Sequence, residues 1–420
     1  MSTSLWPSFL PPSAHGDDSR CLVSARGVRL RFADGSTALC GTSGLWNANL
    51  GYGNRAIAEA VAGALDSASY LGTFRWENAP IREAADRLCA VAGRDRFSRV
   101  LFSTSGGAAN DLVMKLARQY HALRGHGERQ LVVGLRGGYH GLTFGAFALT
   151  SDELGQQQYG VDRRLVRHVE PNDVDQLRRF LARFGHRVAA VVAEPVLGTG
   201  AVELTPEWLR ELVRQRDQHG FLVVADEVAT GFGRVGDFFA SQTWPGQPDV
   251  VITSKALTNG TCAAAAVLVA AHVWETFRDR DAVLGHAETQ AGTAVTGAAI
   301  NATLDEMAAR DAVGAGRTVS EHLDRHLAEL VSDEESVVAV RGRGCFRAVE
   351  LVDGDGTPLS GDGVTELVTQ VRRAGAVVHP GPAGFQLLPA LLYTEAETEE
   401  LFGRVREGIA RTRRVAGAVA

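Results

Sequence analysis

Six short runs rich in valine, leucine and alanine, with helical patterns between them, constrain this chain more than any other feature. They fall at 100–102, 131–133, 188–193, 221–225, 250–252 and 266–269. None alternates apolar with polar residues, so each suits a strand buried on both faces. Between the first two, Leu112, Leu116 and Tyr120, with Val113 and Ala117, make an apolar stripe at helical spacing. Alternating strands and helices imply an α/β fold built on a mostly parallel sheet wrapped by helices. A chain of 420 residues exceeds one typical core. The expected division is an N-terminal arm and hairpin (1–45) that forms part of the small domain, a large domain (46–304) and the rest of the smaller α+β domain (305–420). In the first part, the hairpin runs from Leu22 to Phe32 and turns at Asp34-Gly35. The last part reads helix, strand, helix, strand, helix, with glycine turns at 342–344 and 381–384.

Several function classes drop out early. A net charge of −6 without a long Lys/Arg run gives no electrostatic footprint for nucleic acid. No apolar run approaches the roughly 18 residues that a membrane span requires. Residues 1–13 lack the charged-then-apolar order of a secretory signal. The five cysteines are scattered without a C-x-x-C pair, so neither zinc nor a disulfide framework is expected, and a reduced cytoplasmic setting is.

In open α/β sheets, ligands bind beyond the carboxyl ends of the strands, and five such ends carry chemistry. Thr104-Ser105-Gly106-Gly107 precedes a helix, where bare backbone N–H groups suit a phosphate. The same residues also make a plain glycine turn capped by Ser105. Tyr139, between Gly138 and His140-Gly141, suits stacking on a planar ring, or simple packing. Glu194 ends another run, as a buried hydrogen-bonded carboxylate or a surface ion pair. Asp226 ends the next; facing a heterocyclic nitrogen, it would favour that nitrogen's protonated form, and as a bland alternative it caps a turn. Lys255 ends the fifth, an amine on a flexible stem placed to attack a carbonyl and form an imine. Each group alone is weak. Together, a phosphate cup, a stacking ring, an acid for a ring nitrogen and an imine-forming lysine describe a site for pyridoxal 5'-phosphate.

Gly231-Phe232-Gly233-Arg234-Val235-Gly236 matches G-x-G-x-x-G, which would suggest a nicotinamide or flavin site. However, Glu227 to Thr230 separate the glycines from the strand, and no clear helical pattern follows them. An oxidoreductase therefore ranks below the pyridoxal reading.

From about residue 22 to 408 the chain resembles the class III pyridoxal-phosphate aminotransferases. The match rests on Asp226-Glu227-Val228-Ala229-Thr230-Gly231-Phe232-Gly233-Arg234 followed by Lys255. The resemblance implies fold type I, with a seven-stranded, mostly parallel sheet in the large domain. It makes Lys255 the imine-forming catalytic lysine and Asp226 the partner of the pyridine nitrogen. Val228 and Tyr139 sandwich the ring, Ser105, Gly106 and Gly107 bind the phosphate, and Glu194 belongs to the cofactor pocket. Thr289 matches a threonine that reaches the neighbouring subunit's cofactor, which implies a homodimer with shared active sites. Gly44-Leu45-Trp46-Asn47 and Lys255-Ala256-Leu257-Thr258-Asn259-Gly260 look most like the ω-transaminases, with Trp46 lining the substrate pocket.

The chain departs from the family in two places. Ser105-Gly106-Gly107-Ala108 replaces Ser-Gly-Ser-Glu, so backbone donors or Thr104 must replace a lost hydroxyl. Gln386 stands where many members carry an arginine for the substrate α-carboxylate, and Thr199 stands where some pair that arginine with a glutamate. A neutral amide does not reproduce a bidentate guanidinium. The expected acceptor is therefore a ketone or aldehyde without an α-carboxylate. The opening Leu5-Trp6-Pro7-Ser8-Phe9-Leu10-Pro11-Pro12 and the Thr104-Ser105-Gly106-Gly107 variant are similar to aminotransferases of daptide-type peptide clusters, which implies a C-terminal ketone on a ribosomal peptide. A second reading keeps the cofactor and changes the reaction to that of an aminomutase, racemase or decarboxylase. A third is a cofactor-binding protein without catalysis.

Overall fold

A computed structural model describes residues 3–151 and 153–419. The N-terminal hairpin is a three-stranded meander: β1 (Leu22–Arg26), β2 (Arg29–Phe32) and β3 (Thr37–Cys40). The extra turn falls at Gly27, whose φ of +58° favours a residue without a Cβ. Residues 22–32 read in the sequence as one continuous run, which conceals that turn.

The central sheet contains β4 (Phe97–Ser103), β5 (Leu131–Leu135), β6 (Val166–Val169), β7 (Val188–Ala193), β8 (Leu222–Asp226), β9 (Val250–Thr253) and β10 (Ala265–Ala270). Its order is β4-β10-β9-β8-β7-β5-β6. Only β10 runs against the rest, antiparallel to both β4 and β9. Strands β5, β7, β8, β9 and β10 are buried along their whole length. This explains why they read as continuous apolar runs. Strand β6 is the seventh, at the sheet's edge. Arg167 and His168 interrupt it, so a search for apolar density passes over it.

The remaining strands are β11 (Val337–Arg343), β12 (Phe346–Leu351), β13 (Ala376–Val377), β14 (His379–Gly381) and β15 (Gly384–Leu387). Strand β13 pairs in parallel with β3, so the two ends of the chain share a sheet. The others form an antiparallel sheet in the order β11-β12-β15-β14. One of its faces contributes Phe346, Ala348 and Leu388 to a cluster with Trp46, Val196, Ala201 and Val235. That cluster fills the space between this sheet and the loops beyond the central sheet. Among the described residues, no helix is long and apolar enough to cross a membrane.

Candidate active site

Because β4, β5, β7, β8 and β9 point the same way, their carboxyl ends meet along one edge. Asp226, the last residue of β8, is 2% exposed. Its carboxylate accepts from Asn110 Nδ2 at 3.0 Å, His140 Nδ1 at 2.7 Å and the Val228 N–H at 3.1 Å. Three converging donors suit an acceptor-only group. Burial works against charge on His140, but the hydrogen bond and charge of Asp226 outweigh it and raise its pKa. His140 Nε2 is buried without a partner. Next to this pair, Glu194 accepts from the N–H groups of Tyr139 at 2.9 Å and Gly198 at 3.0 Å. Burial lifts its pKa to about 7, against the pull of His140.

Lys255 follows β9 and opens a short 3-10 turn with φ +46°. Its stem keeps some solvent contact. Burial nevertheless brings its pKa from 10.5 down to about 8, with Asp226 and Glu194 pulling the other way. Its Nζ lies 4.3 Å from the centroid of the Trp46 ring, a cation–π distance. Trp46 is presented by a kinked turn in which Ser43, Gly44 and Trp46 all have positive φ. Ser43 pins that turn by donating to the Leu388 carbonyl at 2.6 Å. Beyond the indole lie Phe346, at 5.3 Å between ring centroids, and His379, edge-on at 5.2 Å. Gln386 is buried, and its amide nitrogen donates to the Gly198 carbonyl at 2.8 Å.

At the end of β4, Ser105 caps the helix Gly106–Leu123 by accepting from the Ala108 N–H. That helix leaves the Gly106 and Gly107 N–H groups without helical partners. A Cβ on Gly106 would sit 3.1 Å from Val228, which places Val228 against the mouth of the helix. The Thr104 hydroxyl and N–H both donate to Glu288, as does the Ser103 hydroxyl. The Thr104 hydroxyl is thus already engaged, whereas the Gly106 and Gly107 N–H groups and the Ser105 O–H remain open as donors. Tyr139 is 38% exposed and meets the site through its backbone. Thr289 is exposed, with its carbonyl accepting from Tyr70 at 2.8 Å; no contact joins its side chain to this chain's own strand-end groups. Its neighbour Glu288 does reach the end of β4.

The glycines at 231, 233 and 236 open no helix. A Cβ on Gly231 would press on the Glu227 carbonyl and the Phe239 ring. The loop is held from inside by Glu227, which accepts from Thr230 and the Ser241 N–H. Buried Arg234 reaches Ser43, Asn49 and the Cys345 and Pro389 carbonyls. Sequence reasoning gave no role to His140, Asn110, Glu288 or His379. Asn110 lies one helical turn after Gly106 and His140 directly follows Tyr139, so two of the four carried a positional signal.

These groups fit a flat heterocycle bearing a phosphate and an aldehyde. Bare helix-terminal N–H groups would suit the phosphate, a buried carboxylate with its own donors would suit a ring nitrogen, and a lysine of lowered pKa would suit the aldehyde. Among the described residues, no cluster of His, Cys, Asp and Glu is arranged to hold a metal.

Comparison with known proteins agrees with this chemistry. The family model for aminotransferase class-III matches residues 13–409. Adenosylmethionine-8-amino-7-oxononanoate aminotransferase of Nitratidesulfovibrio vulgaris is 32% identical, covering 96% of this chain and 80% of that protein. An omega-aminotransferase of Caulobacter vibrioides is 29% identical, covering 84% of this chain and 85% of its own length. Among solved structures, an amine transaminase from an uncultivated Pseudomonas species in its PLP-bound form superposes with a TM-score of 0.92 at 28% identity, covering 98% and 99% of the two chains.

Proposed function

The chain belongs to the class III aminotransferases, pyridoxal-phosphate enzymes that move an amino group from a donor to a carbonyl acceptor, and from that premise we propose which residues act and which acceptor they favour. When bound, the cofactor supplies an aldehyde that takes up the amino group and a ring that spreads the resulting charge. Lys255 is the reactive amine. Burial keeps a useful fraction of it neutral near pH 8, so Nζ can take a proton from the donor's α-carbon and return it. Asp226, fixed by Asn110 and His140, would hold a proton on the ring nitrogen. Val228 and Tyr139 would flank the ring, and Gly106 and Gly107 would grip the phosphate. Glu194 holds Tyr139 and Gly198 in place through their N–H groups.

The acceptor is a ketone or aldehyde without a carboxylate on the reacting carbon. The observation that carries this is the neutral Gln386 in the wall behind Trp46; the buried guanidinium of Arg234 is turned to Ser43, Asn49 and the Cys345 and Pro389 carbonyls. Arg341 is paired with Glu350, Arg343 with Glu203 and Asp237, and Arg347 with Asp324. Arg75 is exposed and lies over the Phe74 ring. A peptide ending in a ketone belongs to the same acceptor class. We place the enzyme in a homodimer with Thr289 facing the other subunit's cofactor, and in the cytoplasm, where the five free cysteines fit a reducing setting.

The test is a panel of amine donors and carbonyl acceptors, including a ketone-ended peptide, followed by cofactor absorbance. Carboxylate-free ketones should be aminated at least about tenfold faster than 2-oxo acids, the scale of losing a charged hydrogen bond. A preference for 2-oxo acids would overturn the acceptor assignment. Lys255→Ala should slow transamination by roughly a thousandfold or more, since attachment and proton transfer fail together.

A further inference from the structure

The wall behind Trp46 is a cross-strand row. Register pairs Arg341 with Ala348, Ala348 with Gln386, and Gln386 with His379. Directly opposed residues of antiparallel strands share a face, so these four side chains look the same way, toward the indole and the amine of Lys255. The guanidinium at the far end is spent on Glu350 and the Gly200 carbonyl. Gln386 gives one amide hydrogen to the Gly198 carbonyl, and no hydrogen bond joins its Oε1 to any described residue, so that acceptor oxygen is left for a ligand. No hydrogen bond joins the His379 ring to any described residue, although the ring sits edge-on to Trp46. Burial, and then the charge of Lys255, lower its pKa to about 4. At neutral pH this imidazole therefore carries one donor and one acceptor and no charge.

We propose that His379 and Gln386 together read an amide beside the reacting carbon of the substrate, with an imidazole N–H given to the amide oxygen and Gln386 Oε1 accepting the amide N–H. The substrate class is a carboxamide or a peptide-linked amine or ketone. This rests on the aminotransferase reading above and narrows it. A carboxylate at the same place would meet an acceptor oxygen and a neutral ring instead of a guanidinium. A purely apolar substituent would leave both hydrogen-bonding groups without a ligand partner. An amide satisfies both groups.

The test uses the full-length holoenzyme with L-alaninamide and (S)-butan-2-amine, two donors of similar shape that differ in the amide. An amide also acidifies the neighbouring C–H, so the diagnostic quantity is how the ratio of their kcat/KM values changes on mutation. His379→Leu should lower the alaninamide-to-butanamine ratio by roughly tenfold, and His379→Asn should restore part of it, as expected for one neutral hydrogen bond. A merely structural role would slow both donors alike and leave the ratio in place, which would overturn the proposal. Calorimetry with two unreactive compounds adds a readout without turnover. Isobutyramide should bind wild type more tightly than isobutyrate, and His379→Leu should abolish that preference; equal binding in wild type would also overturn it. If neither donor changes the cofactor spectrum of the wild-type enzyme, the aminotransferase reading itself falls, and this inference with it. Turnover with an unchanged ratio removes only the inference.

Discussion

A lysine in water is almost wholly protonated at pH 7 and is then a poor nucleophile. Lys255 differs because of where β9 ends. Burial moves its pKa to about 8, although Asp226 and Glu194 favour the ammonium form. The sign follows directly: below about pH 8 the protonated amine dominates, and above it the reactive amine dominates. Capture of pyridoxal phosphate by the apoenzyme should therefore speed up by about tenfold per pH unit through pH 6–7.5 and level off above 8. Stopped-flow absorbance across that range checks this, and a profile still climbing steeply at pH 9.5 would return Lys255 to the ordinary lysine range. Sequence alone placed Asp226, Glu194 and Lys255 at strand ends, because the first two directly follow a run too apolar to be anything but a buried strand, and Lys255 follows such a run after Thr253 and Ser254. It gave no role to the groups that make Asp226 work. Asn110 projects from a helix and His140 from a loop, and their convergence at 2.7–3.0 Å is a product of packing. His379 was hidden for a further reason: it stands on a three-residue edge strand with no apolar pattern to mark it.

At the scale of elements, the start of the helix Gly106–Leu123, proposed to grip the phosphate, is packed closely against the loop after β5. Gly141, in the loop after β5, has φ +119°, and a Cβ there would fall 2.4 Å from the Gly107 Cα. Neither backbone can yield as a flexible side chain would. Gly141→Ala should thus cost about 2–4 kcal/mol through strain and displaced backbone. It should also weaken cofactor binding by at least roughly tenfold, as the loop is pushed off the helix start. Urea unfolding of the apoenzyme and a cofactor titration read the two effects separately, and wild-type values for both would show that the loop and helix are free to part. The glycines were visible in the sequence as a cluster of turn residues; their contact across 34 positions was not. The same limit explains β6, whose two polar residues belong to a sheet edge, and the turn at Gly27, which only the pairing of β1 with β2 reveals. Sequence patterning reports burial on both faces well, because it reads average hydrophobicity. It reports edges and turns poorly, because there the backbone angle decides.

At the scale of the whole molecule, the fold brings several exposed apolar groups together between residues 70 and 76. Tyr70, Leu71, Phe74 and Trp76 are 47%, 46%, 61% and 78% exposed. Tyr70, Leu71 and Trp76 line a groove of about 890 Å³ whose walls include Ala60, Ala64 and Ala298. Contiguous exposed apolar surface of this kind marks an interaction face. The patch is also tied to the site, because the Tyr70 hydroxyl donates to the Thr289 carbonyl, and Thr289 is the residue assigned to the other subunit's phosphate. Association and cofactor binding should then fail together when the patch is charged. Trp76→Glu should convert a particle of twice 44.8 kDa into one of 44.8 kDa by sedimentation velocity, and should weaken cofactor retention by at least about tenfold, since each site loses a donor supplied in trans. Thr289→Ala separates the two roles: the dimer should persist while cofactor affinity drops. If Trp76→Glu stays dimeric, the interface lies elsewhere. If it becomes monomeric with cofactor affinity intact, each subunit holds its phosphate alone, with the Gly106 and Gly107 N–H groups sufficient for the task.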